Sequence, residues 1–408
     1  MATTLPPARA WADVPVDEVE KLIAASRDRG WRAALRDASV AAPFFGARLN
    51  NLGLANWHLL LACDPRGKAL DVGCGFGTIP LGLADHFSLA AGAEMLPERL
   101  RYAALRAQQE PWPNAHFVRS HGARLPFPDR SFDMVTMNGV LEWAALYSEG
   151  DPRSLQRTML RETRRVATSD GFVAVAIENR YALESLLALP DTHTGLHFVT
   201  ALPRPVANLL SRARTGQPYR AYLYGRAEYR ALFAEAGFHD VAVLDLISSY
   251  NDYDFVVRTD DALSYRLIWD RGVVRSFYGA AGRARRSLAR WRPGLLGRLC
   301  YAYLVVGGEA VATLLDESHP FWQVAAAWGA EPGRARFACR GTRPGTIALL
   351  AHDGSLVRWL VELGRGLDPA TPQPDVLPAE IAERLVPSVA LVGAGTFHGI
   401  SCRVYAPA

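Results

Sequence analysis

The feature that most constrains the fold of this chain is a glycine-rich turn that directly follows a short apolar run. Residues 68–72 read KALDV, and the next six residues, GCGFGT, place glycine at three alternating positions. Neither strand nor helix propensity explains three glycines so close together. Glycine lets the backbone turn sharply and lie against a ligand that a Cβ would exclude. We therefore expect a buried strand, a tight turn beside a ligand, and a helix that starts near Thr78.

Beyond this turn, short strand-like runs alternate with helix-like runs. The strand-like runs lie at residues 68–72, 89–95, 115–120, 131–139, 171–179, 241–248 and 301–308. Helical spacing of apolar residues marks the runs between them, at 78–87, 97–108, 151–167 and 226–238. This order predicts a doubly wound, Rossmann-like α/β fold with a seven-stranded, mostly parallel sheet and helices on both faces.

The pattern divides the chain into three parts. Residues 1–50 read as an N-terminal helical extension, because apolar residues recur there at helical spacing. Residues 51–314 hold the α/β domain, with a substrate insertion at 180–225 and a basic insertion at 253–298. Residues 315–408 contain short β-type runs around glycine-containing turns, so we expect a small α+β appendage there.

An acid placed two residues before the first glycine separates two classes of ligand. A dinucleotide fingerprint G-x-G-x-x-G that starts at Gly73 would need a glycine at position 78, where Thr78 stands. Asp71 is poorly placed to face a pyrophosphate, but it suits a cationic ligand with an amino acid moiety. Glu94 ends the next strand-like run, about 20 residues on, where an acid takes the hydroxyls of a ribose. The pattern disfavours a nicotinamide dinucleotide.

Four ordered blocks of sequence resemble the class I S-adenosylmethionine-dependent methyltransferases, of the kind grouped as types 11 and 25. The blocks are LDVGCGFGT, GAEMLPERLRYA, ARLPFPDRSFDMV followed by NGVLEW, and ETRRVATSDGFVAVAIEN, within residues 66–180. The run RAEYRALFAEAGF continues the likeness. The resemblance implies an enzyme that takes its methyl group from S-adenosylmethionine (SAM).

The resemblance assigns the cofactor site to the turns that follow the first four strands. Asp71 and the backbone around Gly73 and Gly75 would hold the methionine portion, and Glu94 would bind the ribose hydroxyls. His121 stands where such enzymes usually carry an acid that accepts from the adenine amino group. The full implied set is Asp71, Gly73, Cys74, Gly75, Gly77, Glu94, Met95, His121, Gly122, Ala123 and Asn138.

An insertion after the fifth strand carries most of the candidate substrate and catalytic residues. It leaves the carboxyl edge of the sheet, where substrate groups belong. We expect His193 to act as a general base oriented by Asp191. The resemblance places Glu142, after the fourth strand, beside the sulfonium and the substrate entrance, and we count it as a third catalytic candidate. Candidate contacts to the substrate are Asn179, Arg180, Tyr181 and His197.

The sequence also bears on metal binding and on the acceptor atom. Asp191, His193 and His197 form the pattern D-x-H-x-x-x-H, which is not a strong ligand signature, so we expect no metal. The block after the fourth strand is NGVLEW and not the Asn/Asp-Pro-Pro-Tyr block of enzymes that methylate nucleobase or amide nitrogens. The acceptor is therefore expected to be an oxygen rather than a nitrogen of a small molecule. The insertion resembles a bacterial subfamily associated with saccharide or natural-product pathways.

Composition points to a cytoplasmic protein with a small-molecule substrate. The net charge of +4 gives little reason to expect nucleic acid, and five scattered cysteines without CxxC spacing suggest neither zinc nor disulfides. The N-terminus shows no signal-peptide pattern and no uncharged run is long enough for a membrane span. The basic insertion at 253–298 allows peripheral contact with a membrane surface. The appendage at 315–408 distantly resembles a truncated N-terminal lobe of aminoglycoside-phosphotransferase-like kinases, and it allows a homodimer.

Two rival functions remain open at this point. A degenerate domain could bind SAM or a partner without catalysis, and an NAD-dependent oxidoreductase could use a similar fold. The complete glycine motif together with Glu94 speaks against the first rival, and Asp71 with Thr78 speaks against the second. Cofactor preference separates all three.

Overall fold

The computed structural model describes most of the chain between residues 14 and 311, and six strands beyond it. Within 14–311 the gaps fall at residues 42, 61–66, 85, 111, 146–147, 188, 248, 252, 254, 258–282, 286, 289–290 and 310. The chain forms two compact units. The first comprises Met1–Leu52, Cys63–Val243 and Tyr303–Val311, and the second comprises Gly53–Ala62, Leu244–Ala302 and Ala312–Ala408.

A sheet of order β3-β2-β1-β4-β5-β8-β6 organises the first unit. The pairs β1/β2, β2/β3, β1/β4 and β4/β5 are parallel. The predicted doubly wound fold with seven strands is confirmed. The strands are β1 (Lys68–Val72), β2 (Leu89–Glu94), β3 (Ala115–Arg119), β4 (Phe132–Asn138), β5 (Ala167–Glu178), β6 (Asp240–Ile247), β7 (Phe255–Val257) and β8 (Ala302–Gly308), of which β7 belongs to the second unit.

Helices alternate with these strands along the chain, and the ends of some carry recognisable sequence signals. Asp151 caps α6 by accepting from the backbone N–H of Ser154 at 2.8 Å, and a proline stands in the first turn of α5. The helices are α1 (Val16–Arg29), α2 (Trp31–Ala41), α3 (Pro43–Asn50), α4 (Thr78–Ala84), α5 (Pro97–Gln108), α6 (Pro152–Val166), α7 (Leu183–Leu186), α8 (Arg204–Thr215), α9 (Arg226–Glu235) and α10 (Pro293–Leu296), with 3₁₀ helices at Leu52–Leu60 and Leu141–Trp143.

The order of the strands places a crevice beside β1. Strands β2 and β3 lie on one side of β1, and β4 and β5 lie on the other, so the turns after β1 and β4 diverge. Ligands of open α/β sheets bind outside the carboxyl ends of the strands at such a switch point. Central strand residues such as Leu70, Val135 and Val173 are fully buried, as expected for a sheet covered on both faces.

A buried arginine joins the N-terminal helices to the glycine turn. Arg106 of α5 is fully buried and donates to the carbonyls of Phe76 at 2.8 Å and Leu49 at 2.7 Å, and to the hydroxyl of Thr78 at 3.1 Å. A charged group survives at such a place because acceptors surround it. The N-terminal extension is thereby bonded to the element that opens the predicted ligand site.

The second unit holds an antiparallel ribbon and a separate sheet. The second half of β6 pairs antiparallel with β7, and the backbone N–H of Trp57 donates to the hydroxyl of Tyr253 at 2.9 Å. The separate sheet has the order β13-β14-β12-β11-β10-β9. Its strands are β9 (Val324–Ala326), β10 (Arg336–Cys339), β11 (Thr346–His352), β12 (Arg358–Glu362), β13 (Val389–Phe397) and β14 (Ile400–Pro407).

The two units do not follow the boundaries expected from the sequence. The N-terminal extension packs within the first unit, where Gln109, the residue after α5, accepts from the backbone N–H of Trp31 at 2.7 Å and donates to the carbonyl of Ser26 at 2.8 Å. Residues 244–302, expected inside the α/β domain, group with the C-terminal part. Much of the expected basic insertion, residues 258–282, lies outside the described part. None of the described helices combines the length and apolarity needed to cross a membrane.

Candidate functional site

The glycine turn after β1 has the backbone that its sequence predicts. Gly73, Gly75 and Gly77 have φ values of +75°, +53° and +81°. A Cβ at Gly73 would lie 2.6 Å from Val140, and one at Gly77 would lie 2.7 Å from Ala103, so these two glycines permit close packing. A Cβ at Gly75 would meet nothing within 4 Å. The turn therefore exposes bare backbone to open space at Gly75, where a ligand can approach closely.

Asp71 is a buried carboxyl group at the end of β1. It is only 2% exposed, and its Oδ1 atom has no hydrogen-bond partner among the described residues. Burial raises the pKa of Asp71 well above its usual range, and the nearby Glu94 raises it further. A buried carboxyl group in this state is stabilised by a cationic ligand.

Glu94 ends β2 and is held in one orientation by backbone donors. Its Oε2 atom accepts from the N–H of Gly75 at 2.9 Å, and its Oε1 atom accepts from the N–H groups of Met95 at 2.7 Å and Leu96 at 3.0 Å. A carboxylate offers roughly four acceptor positions, so about one remains on Oε2. The carboxylate therefore lies beside the glycine turn with its orientation fixed.

Residues 121–123 form a turn next to Glu94, because the N–H of Ser120 donates to the Glu94 carbonyl at 2.9 Å. His121 is exposed, and its Nδ1 atom accepts from the N–H of Ala123 at 3.2 Å. A Cβ at Gly122 would lie 2.7 Å from Met159. The turn brings these residues to the same edge of the sheet as Glu94. Cys74 is buried within the glycine turn, and burial raises the pKa of its thiol well above the usual range.

Three segments of the chain meet at the carboxyl ends of β4 and β5 in what we call the acid-histidine cluster. Its members are Glu142 in the 3₁₀ helix after β4, Glu178 at the end of β5, and Asp191 and His193 in the insertion. His193 Nε2 lies 3.3 Å from Glu178 Oε2 and 3.7 Å from Glu142 Oε1, and His193 Nδ1 lies 3.1 Å from Asp191 Oδ1. All four side chains are buried.

Local hydrogen bonds fix the part of the cluster that the insertion supplies. Asp191 Oδ2 accepts from the N–H of Thr194 at 2.9 Å and from its hydroxyl at 2.5 Å. Thr192 donates to Glu178 Oε1 at 2.8 Å. The imidazole of His193 also packs 5.0 Å, centroid to centroid, from the ring of Trp143. With Nδ1 held by Asp191, the Nε2 atom faces the two glutamates.

Charge and burial act against each other inside the cluster. Burial disfavours the charged imidazole, but the surrounding carboxylates outweigh this and raise the pKa of His193 well above its ordinary value. Burial raises the pKa of Glu178 to about 7, although the charge of His193 opposes it. The pKa of Asp191 is lowered, because its bonds to His193 and Thr194 outweigh the effect of burial. Neither carboxylate oxygen of Glu142 has a hydrogen-bond partner in the described part of the chain.

The four predicted substrate residues differ in their burial and in the hydrogen bonds that they form. Arg180 donates to the carbonyls of Thr200 at 3.2 Å and Leu202 at 2.8 Å, so it braces the insertion. Asn179 is buried and accepts from the N–H of Tyr181 at 3.0 Å, whereas the ring of Tyr181 is 39% exposed. His197 is exposed and does not join the cluster with His193.

The sequence pattern singles out neither Glu178 of the cluster nor Thr192, which donates to it. A signal for Glu178 existed. It is an acid that ends a buried strand, which is the same property that identified Glu94. No comparable signal marks Thr192, which donates to Glu178 only because the insertion folds back onto β5.

The comparisons with known proteins agree with this arrangement over part of the chain. Residues 70–175 match a family described as "Methyltransferase domain". The uncharacterized methyltransferase YcgJ of Bacillus subtilis (strain 168) is 30% identical over 109 residues, which are 27% of this chain and 40% of YcgJ. The chain thus spans two fifths of the length of this curated relative.

Two solved structures match the chain at low identity and low TM-score. A Haloferax volcanii protein in complex with the methyltransferase activator Trm112 has 20% identity and a TM-score of 0.40, with coverage of 67% of this chain and 96% of that chain. The YcgJ protein of Bacillus subtilis has 18% identity and a TM-score of 0.36, with coverage of 63% and 97%. The fold assignment itself comes from the strand order and the matched family.

Residues 70–175 therefore form a class I SAM-dependent methyltransferase domain. The methyl donor of this family is SAM, and the residues present fit it. Gly75 leaves the close approach open, Asp71 has an unsatisfied buried oxygen for a cation, and Glu94 retains acceptor capacity. The match ends within β5, so Glu178, Asp191 and His193 lie beyond it.

Proposed function

We propose that the whole protein is a SAM-dependent methyltransferase that methylates an oxygen of a small molecule, in a saccharide or natural-product pathway. The observation that carries this proposal is the acid-histidine cluster. It lies at the carboxyl edge of the sheet that also carries the glycine turn and Glu94. A hydroxyl must lose its proton to become a methyl acceptor, whereas a neutral amine or a thioether need not. A buried group of carboxylates and an imidazole suits an acceptor of the first kind.

The chain's own residues have three tasks in this reaction. SAM supplies an activated methyl group for in-line displacement, so the protein has to bind, align and exclude water. Asp71, Glu94 and the glycine turn hold the donor. Residues 121–123 and Met95 would hold the adenine, and Asn138 would lie beside the sulfonium.

The candidate catalytic residues are His193, Asp191 and Glu142. Asp191 orients the imidazole through Nδ1, which leaves Nε2 toward the glutamates and the acceptor. Tyr181 and His197 are the predicted substrate contacts that remain accessible, while Asn179 and Arg180 hold the insertion in place. We also propose a cytoplasmic location, with no nucleic-acid partner.

A panel of methyl acceptors tests this proposal. Purified protein is incubated with isotopically labelled SAM and with matched compounds that differ only in carrying a hydroxyl, an amine or a thiol. We expect label in the hydroxyl compounds, and none with Glu94→Ala protein. Labelling confined to amines or thiols would overturn the choice of oxygen. Tight binding of SAM without turnover of any acceptor would favour a binding protein instead.

A further inference from the structure

The acid-histidine cluster has the composition and spacing of a metal site, although the sequence pattern predicted none. We propose that Glu142, Glu178 and His193 bind one divalent transition-metal cation, of the Mn²⁺ to Zn²⁺ type, which holds the acceptor oxygen. This inference deepens the proposed function and rests on it for the role of the cation, but not for its binding.

The distances between the donor atoms support a single ion. One donor atom each from Glu142, Glu178 and His193 lie within 4.8 Å of one another. Ligand atoms about 2.1 Å from a common ion are separated by about 3.0–3.4 Å at octahedral or tetrahedral angles. The separations of His193 Nε2 from the two glutamates are 3.3 Å and 3.7 Å. These are long for charge-assisted hydrogen bonds, which measure about 2.7–2.9 Å.

Glu142 supplies a second observation, because the one ion-pair partner that the described residues give it is the imidazole of His193 at 3.7 Å. Its side chain is 0% exposed, and neither of its carboxylate oxygens accepts a hydrogen bond from a described residue. Neither Glu142 nor Asp191 forms an ion pair with a described arginine or lysine. A buried carboxylate is kept only when it is paired or bound to a metal. The open side of Glu142 faces His193 and Glu178.

The residues that hold the three proposed ligands are arranged as they are around metal ions in proteins. A metal-bound histidine usually donates its other ring N–H to a carboxylate, which fixes the tautomer and raises ligand basicity. Asp191 takes this position on His193 Nδ1 at 3.1 Å, and Thr192 holds Glu178 Oε1 at 2.8 Å. Imidazole with two carboxylates suits Mn²⁺, Fe²⁺, Co²⁺ or Zn²⁺ better than Ca²⁺. Three protein ligands leave coordination positions for an acceptor.

The cation changes the role of His193. It lowers the pKa of a hydroxyl that it binds, so the acceptor releases its proton to solvent. The oxygen then forms the bond to the methyl carbon, and the electron pair of the broken carbon-sulfur bond stays on the sulfur of the product S-adenosylhomocysteine. His193 is a ligand in this arrangement, and the base predicted from the sequence is not needed.

Direct titration of metal tests the site without reference to activity. Full-length protein is stripped with a chelator and titrated with Mn²⁺, Co²⁺ and Zn²⁺, followed by calorimetry and, for Mn²⁺, by paramagnetic resonance. We expect one ion per chain. Glu142→Gln, Glu178→Gln and His193→Gln each weaken binding about 100-fold or more, and Asp191→Asn weakens it about 10- to 100-fold. Exposed His239→Gln and Glu149→Gln serve as matched controls and bind as the unaltered protein does.

The outcomes separate the cation from the proposed function. No binding by the unaltered protein, or binding that Glu142→Gln leaves intact, overturns the metal site. SAM titration and thermal unfolding of each variant show whether it is folded. Oxygen methylation that survives chelation overturns the role of the cation in holding the acceptor, while the proposed function stands. Tight metal binding at these ligands without oxygen methylation upholds the site and contradicts the choice of acceptor.

Discussion

The glycine turn and the acid-histidine cluster lie at the same edge of one sheet, but the chain builds them in different ways. The turn is contiguous, with Asp71, Gly73, Gly75 and Gly77 within seven residues of sequence. The cluster takes Glu142, Glu178, Asp191 and His193 from three segments that meet only in the folded chain. A contiguous motif encodes its own backbone, whereas a dispersed cluster depends on the sheet that assembles it.

The two regions also differ in how well their polar groups are satisfied. Glu94 accepts three backbone hydrogen bonds, so its orientation is set before any ligand arrives. Glu142 accepts none from the described residues. Unsatisfied buried groups cost stability and concentrate at functional sites. The carboxylate of Glu94 is thus oriented before a ligand binds, whereas no described donor orients the carboxylate of Glu142.

Removal of the imidazole of His193 should give the largest difference between the acid-histidine cluster and the glycine turn. His193→Gln is expected to lower kcat about 100-fold or more, because the acid-histidine cluster that activates the acceptor loses its imidazole. The Kd for SAM is expected to stay unchanged, since the glycine turn and Glu94 are intact. Steady-state kinetics with an identified acceptor, together with calorimetric titration of SAM, measure the two quantities. His239→Gln is the control, and an equal loss of SAM binding in His193→Gln would break the distinction.

A paired glycine substitution tests the ligand side. Gly75 and Gly216 both have positive φ, at +53° and +76°, and a Cβ at either would meet nothing within 4 Å. Gly75→Ala and Gly216→Ala should therefore lose similar stability, about 1 kcal/mol.

Only Gly75→Ala should weaken SAM binding, about 10-fold or more, because the added methyl group occupies space that the ligand needs; tenfold corresponds to about 1.4 kcal/mol. Thermal unfolding and SAM titration measure both effects. Equal SAM affinity in the two variants would show that the turn does not approach the cofactor.

The pH dependence of SAM binding reports on Asp71. Its pKa is raised by burial and by Glu94. A cationic ligand favours the ionised carboxylate, so affinity should fall as the pH is lowered through this raised pKa, by up to about tenfold per pH unit. Above the raised pKa the affinity should be constant. Asp71→Asn should bind more weakly at neutral pH with a flat profile, and a persistent slope in that variant would assign the titration to another group.

The smallest expected effect is a gain in stability, whereas the preceding predictions are losses of activity, binding or stability. In metal-free protein, Glu142→Leu removes a buried carboxylate that accepts no hydrogen bond from a described residue and should raise the free energy of unfolding by about 1–2 kcal/mol. Methyl transfer should be lost at the same time, as expected when function costs stability. Denaturant unfolding measures the change, and Glu149→Leu at an exposed position is the control. Destabilisation by Glu142→Leu would indicate that the carboxylate is satisfied.

The fold and the candidate cofactor residues could be predicted from the sequence because both depend on local sequence patterns. Strand and helix periods predicted the sheet, and spacing alone identified Asp71 and Glu94. His193 and Asp191 were reached through their position in an insertion at the carboxyl edge. Nothing in the sequence showed that Glu178 would face them across β5.

Other features of the structure could not be predicted from the sequence, because they depend on which side chains the fold buries. Arg106 lies in an ordinary charged helix, and only the fold reveals that it is enclosed by three acceptors. His197 and His193 look equivalent in the sequence, yet His197 is exposed. The division of the chain into units also escaped prediction, since residues 244–302 leave the first unit before Tyr303 returns to it.

The most direct test of the account titrates SAM, S-adenosylhomocysteine and NAD into the unaltered protein, Glu94→Ala and Glu142→Gln. The account predicts that the unaltered protein binds both sulfur compounds and not NAD. It also predicts that Glu94→Ala loses this binding and that Glu142→Gln retains it. Preference for NAD, or loss of SAM binding in Glu142→Gln to the same degree as in Glu94→Ala, would contradict it.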